Sequence, residues 1–116
     1  MEGMEKVQAI AKILDEKKAD NIKAVRIKDL TVIADYFVIA GATSSTQVRA
    51  LADEVDFQMS QKGIEPLRVE GHPSSGWTIL DYGDVVVHVF YKDTRNFYDL
   101  ERLWADGTEV PLTFAD

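Results

Sequence analysis

The chain reads as one α/β (α+β) domain, a single mixed β-sheet of about five strands with helices packed against it. Three observations predict this class. Two stretches carry apolar residues at helical spacing, several short runs are rich in β-branched and aromatic residues, and the turn residues fall between them. From Met4 to Lys18, Val7, Ile10, Ala11, Ile13 and Leu14 recur every three or four positions, with Glu5, Lys6, Lys12, Glu16 and Lys17 on the other side. That spacing predicts an amphipathic helix. "AVRI" at 24–27 reads as a short strand, and "ADYFVIAGA" at 34–42 as a buried one that stops at Gly41.

The next segment is the clearest local signal. Ser44 with Gln47 three residues on forms a capping box, and Val48, Leu51, Ala52, Val55 and Met59 follow on one helical face. A helix from 45 to 62 should end at Gly63 in a left-handed cap. "IEPLRVE" is a strand candidate that Pro66 pushes to an edge or to a later start. "GHPSSG" is a loop. "WTILDY" and "DVVVHVFY", separated by little more than Gly83, predict an antiparallel hairpin. "DTRNFYDLERLW" predicts short helical turns with Phe97, Leu100, Leu103 and Trp104 directed inward. The aperiodic "ADGTEVPLTFAD" predicts a flexible C-terminal tail, so the domain should span 1–104 and the tail 105–116.

Composition narrows the function. A chain of 116 residues with 46% hydrophobic residues can build one core. Its apolar runs are broken by charge well before the roughly 18–20 residues of a membrane span, and the acidic, amphipathic start is unlike a signal peptide, which predicts a cytoplasmic protein. Without cysteine there is no thiolate nucleophile and no cysteine-based zinc site. A net charge of -7 repels nucleic acid on average, and the basic residues Lys12, Lys17, Lys18, Lys23, Arg26 and Lys28 are thinly spread. Such a chain suits a basic protein partner.

The chemistry-bearing residues concentrate in the hairpin. Alternation puts Asp84, Val86, His88 and Phe90 on one face and Val85, Val87, Val89 and Tyr91 on the other, the valine-rich core side. If the register matches, Trp77 and Asp81 join His88 and Phe90. One histidine and two turn aspartates make a poor metal set, since His72 lies far off in a loop. Two readings remain open. In one, the aspartates hold the turn through backbone amides and His88 is a hydrogen-bonded sheet residue. In the other, the row of aromatic and polar side chains is the centre of a protein interface. "GATSSTQ" before the helix could cradle phosphate, but it lacks the glycine fingerprint and the lysine of phosphate-binding loops, and the capping box already accounts for Ser44. No Ser-His-Asp set can be placed by spacing, and Arg49, Arg68, Arg95 and Arg102 read as surface ion-pair residues.

Together, "ADYFVIAGATSSTQVRALADEV", "GWTILDYGDVVVHVF" and "FYDLERLW" resemble the signature blocks of the ribosomal silencing factor (Iojap-like) family, over nearly the whole chain through Trp104. The resemblance implies a non-enzymatic translation repressor without catalytic residues, metal or cofactor. It implies binding to the large ribosomal subunit through its fourteenth protein, which blocks joining of the small subunit when nutrients are scarce. It places partner contacts on Trp77, Asp81, Tyr82, Asp84, His88 and Phe90, with Tyr98 beyond them, and it permits a homodimer. Alternation separates Trp77 from Tyr82, so one of the two could belong to the core. The family fold is similar to that of nucleotidyltransferases, which makes a nucleotide-binding enzyme the alternative. Here the strand "PLRVEG" carries Arg68 and Glu70 where two-metal phosphoryl transfer needs paired acids.

Overall fold

A computed structural model describes residues 2–27, 34–72, 76–91 and 106–112. The first helix, α1 (Gly3–Glu16), buries Val7, Ile10, Ala11, Ile13 and Leu14, the stripe its sequence spacing defines. It closes through Lys18, which adopts a left-handed backbone (φ 65), and the Ala19 N–H donates to the Leu14 carbonyl (3.0 Å). The chain therefore enters β1 (Asp20–Arg26) at once, several residues earlier than "AVRI" indicates. Pairing with β2 (Tyr36–Ala42) is irregular between Asp20 and Lys23, and the expected alternation is blurred at that point.

The second helix, α2 (Ser45–Gln61), starts as the capping box requires: Ser44 Oγ accepts from the Gln47 N–H at 3.1 Å. The return bond is shifted by one residue. Gln47 Oε1 accepts from the Thr43 N–H (2.7 Å) and the Thr43 hydroxyl (2.8 Å). At the other end Gly63 (φ 79) donates to Ser60 O (2.9 Å) while Ile64 donates to Met59 O (3.0 Å). That is a Schellman motif, which needs a residue at ease with positive φ, and Gly63 supplies it.

Four further strands follow: β3 (Arg68–His72), β4 (Trp77–Asp81), β5 (Val85–Tyr91) and β6 (Thr108–Glu109). The six-stranded sheet runs β3-β4-β5-β2-β1-β6, antiparallel except for the parallel β2–β5 pair at its centre. Pro66 precedes β3, and β3 is an edge strand. Val38, Ala40, Leu80, Val85, Val87 and Val89 face α1 and α2 and form one buried cluster with them. Val25, Ile27, Phe37, Ile39, Val86 and Phe90 form a second buried cluster on the opposite face. The expected helical turns over 93–104 lie outside the described residues.

One expectation is corrected here. Residues assigned to a flexible tail supply β6, whose Thr108 and Glu109 pair with Arg26 and Val25. Val110 is 6% exposed and donates its N–H to Ala24 O at 2.8 Å. A two-residue strand has no periodicity to read, and only the free edge of β1 makes it one. Gly107 brings the chain so close that a Cβ there would run into the Val25 side chain and stand 3.0 Å from Arg26 O. Gly107→Ala is therefore expected to lower stability by about 1–3 kcal/mol through overpacking. Urea denaturation measures this, and an unchanged midpoint would mean that β6 detaches at little cost.

Candidate functional site

The hairpin is built around its turn. Gly83 (φ 90) donates its N–H to Asp81 Oδ1 at 2.8 Å, and Tyr82 N–H donates to Val85 O at 2.9 Å. Asp81 is thus a turn-holding aspartate, whose other oxygen lies 3.5 Å from Arg68 Nη2. Asp84 does a different job. Its carboxylate pairs with Lys6 Nζ at 2.8 Å, and its carbonyl accepts from the N–H groups of Asp35 (2.9 Å) and Tyr36 (3.0 Å). It ties α1 and the start of β2 to the turn.

The register decides which side chains meet. Trp77 pairs with Phe90, Ile79 with His88 and Asp81 with Val86, while β2 sets Gly41, Ile39 and Phe37 on the far side of the same three positions. β3 continues the rows, with His72 beside Trp77, Glu70 beside Ile79 and Arg68 beside Asp81. Trp77, Asp81, His88 and Phe90 therefore share the face away from the helices. Their exposure falls toward the sheet centre. Trp77, Ile79 and Asp81 are half-buried, whereas His88 is 6% and Phe90 1% exposed. A cavity of about 220 Å³ opens over this end of the face, bounded by Phe37, Arg68, Glu70, Ile79, Asp81 and His88 among others.

Besides His88, two of the expected contact residues lie inside. Tyr82 is 5% exposed and packs with the helix-side cluster, because the turn carries it to the face opposite Trp77. Phe90 keeps the expected face, but it lies in a strand buried on both sides and opposite Gly41, where no side chain competes for the space. Tyr98 lies outside the described residues. Arg68 and Glu70 line the same cavity although residue type alone did not point to them. The signal was the alternation in "LRVE", which becomes informative once β3 is known to pair antiparallel with β4. The expectation that His88 is a hydrogen-bonded sheet residue also changes.

Neither His88 ring nitrogen has a partner, and Trp77 Nε1 and the Tyr82 hydroxyl are likewise buried and unpaired. The imidazole is held by rings instead, edge-on to Phe37 (centroids 4.5 Å apart) and stacked with Trp77 (6.1 Å). Burial drives its pKa from 6.5 down to about 4, so it is neutral at physiological pH. Burial, reinforced by Asp56 and Glu65, likewise raises the Tyr82 phenol and keeps it protonated. Among the described residues no three acidic or histidine side chains are grouped to hold a metal ion.

The neutral histidine makes stability depend on pH. Below pH 6.5 the unfolded chain takes a proton that the folded chain refuses until about pH 4. The contribution is complete above pH 6.5 and shrinks through that window as pH falls, by on the order of 3 kcal/mol at most. Urea midpoints measured from about pH 7.5 to about pH 4.5 should fall more steeply for the wild type than for His88→Phe. Equal slopes would assign the proton uptake to other groups.

Comparison with known proteins agrees with this architecture. The family model described as "Ribosomal silencing factor during starvation" matches residues 1–116. A ribosomal silencing factor of Halalkalibacterium halodurans is 42% identical over 112 residues, covering 97% of this chain and 96% of that protein. That of Bacillus subtilis is 42% identical over 100 residues, covering 86% and 85%. A crystal structure from Bacillus halodurans superposes with a TM-score of 0.83 at 39% identity, covering 95% of this chain and all of that one. The family match over residues 1–116 and the 42% identity to two curated members place this chain in the ribosomal silencing factor family.

Proposed function

We propose that the protein docks on the large ribosomal subunit through that subunit's fourteenth protein and blocks joining of the small subunit by occupying the surface between them. The observation that carries this reading is an end of the second sheet face that stays open among the described residues while the rest of that face is buried. There Trp77, Ile79 and Asp81 stay half-exposed beside the edge strand β3. An aromatic anchor ringed by polar groups is the composition of an interface centre. The net charge of -7 favours a basic ribosomal protein over bare RNA and speeds encounter with it. We infer that the protein acts in the cytoplasm and by occupancy; the turn before α2, where Ser44 and Gln47 spend their side chains on capping, supports occupancy over phosphate chemistry.

The reading also sorts the expected contacts. Trp77 and Asp81 are the contact residues, joined by Ile79 and by Glu70 at the edge. Tyr82 and Phe90 support them from within, and Asp84 ties the turn to α1 through Lys6. Trp77→Ala is expected to cost about 2 kcal/mol of binding, roughly thirtyfold in affinity. Co-sedimentation with purified large subunits measures this, with circular dichroism to confirm folding and with formation of the joined ribosome scored in parallel. Tyr82→Phe, which deletes only a buried hydroxyl without a partner, should bind like the wild type. A folded Trp77→Ala variant that sediments and suppresses joining as the wild type does would remove the anchor from this face.

A further inference from the structure

Three adjacent strands gather an unusual set of acceptors around the cavity beside β3. Glu70 and Asp81 stand at its rim and His88 lines it, with Phe37 and Ile79 as apolar wall. The chain's own Arg68 lies between the two acids, Nη1 at 3.4 Å from Glu70 Oε1 and Nη2 at 3.5 Å from Asp81 Oδ2. Both separations exceed the roughly 2.7–2.9 Å of a charge-assisted hydrogen bond, and the Arg68 side chain is 67% exposed. Ion pairs this loose and this wet contribute little and exchange readily. Meanwhile the imidazole lines the same cavity, buried and without a hydrogen-bond partner at either nitrogen, and Arg68 does not supply one.

We propose that Glu70, Asp81 and His88 form a socket for an arginine of the partner, and that Arg68 is a loose internal occupant which the partner's arginine displaces. That the partner is the ribosomal protein rests on the function proposed above; the socket itself does not. A guanidinium suits the site for three reasons. Its planar fork can donate to two carboxylates and to an imine nitrogen at once, its weak hydration lowers the cost of entry, and its aliphatic stem can lie along Ile79 and Phe37. An ammonium is a strongly hydrated point charge and offers no fork. Because burial keeps His88 uncharged at neutral pH, the ring can accept a hydrogen bond from a cation without repelling it. Arg68, Glu70 and Asp81 are the charged groups of β3 and β4 that line the cavity with the ring.

The test uses small probes first. Ethylguanidinium and ethylammonium are titrated into the full chain while the His88 ring resonances are followed by NMR, for wild type, Arg68→Ala and Arg49→Ala. Arg49 is exposed on α2 and serves as a control for loss of one positive charge. Ethylguanidinium should move His88 in Arg68→Ala at about two- to fivefold lower concentration than in the wild type, the worth of one exposed ion pair. Arg49→Ala and ethylammonium should not reproduce the effect, and Glu70→Gln should weaken it. No His88 response in Arg68→Ala, or the same midpoint as in wild type, overturns the socket. With large subunits, Arg68→Ala should bind more tightly than Arg49→Ala. Weaker binding would make Arg68 itself a contact and overturn its displacement. Failure of the wild type to bind large subunits would reject the ribosomal reading, while the titration still decides the socket.

Discussion

The parallel pairing of β2 with β5 places β5 at the middle of the sheet, where both of its faces are buried. From this follow the properties of the whole hairpin. A strand without a solvent side must be apolar on both faces, and Val85, Val87 and Val89 meet the helices while Val86 and Phe90 meet the second cluster. The one polar member, His88, gives up both hydrogen bonds and its charge to stay there. Such a cost at the centre of a domain is tolerated more readily at a site that works than at one that only packs.

The same arrangement sets where the second face opens to solvent. Moving outward from β5, the rows of the second face run from buried Phe90 and His88 to half-exposed Trp77 and Ile79 and then to exposed Glu70 and Arg68. Polarity rises along the rows as burial falls. An aromatic pair, Trp77 stacked on His88, marks the boundary, and Leu67 and Val69 leave apolar surface along the edge strand itself. Apolar body and polar rim are thus consecutive positions of one register.

Turn chemistry holds this register in place. Asp81 accepts from Gly83 and so sets the reversal between β4 and β5, and Asp84 fastens that reversal to α1 through Lys6 and to β2 through its carbonyl. A slip of one residue would exchange Trp77 for Thr78 on the open face and turn Leu80 away from the helices. The aspartates that suggest chemistry in the sequence secure the geometry of the half-open sheet face.

Much of the fold was legible from local pattern, because the information was local. The helical stripes of α1 and α2, the Ser44 cap, the Gly63 stop, the edge character that Pro66 gives to β3 and the two faces of β5 each follow from neighbours within a few positions. The family was legible too, since its blocks are contiguous. Depth was not. Alternation says that Tyr82 and Trp77 differ in face, but which of them is covered depends on where α1, α2 and the rest of the sheet come to lie. Strand β6 exists only because β1 has a free edge, and Arg68 and Glu70 join the site only because β3 returns beside β4. Local pattern in the chain fixed both helices, the strands of the hairpin, their faces and the family, because period and capping act through adjacent residues. Tertiary structure alone decided which aromatic residues reach the surface and which charges stand together, because burial and long-range pairing are properties of the assembled sheet.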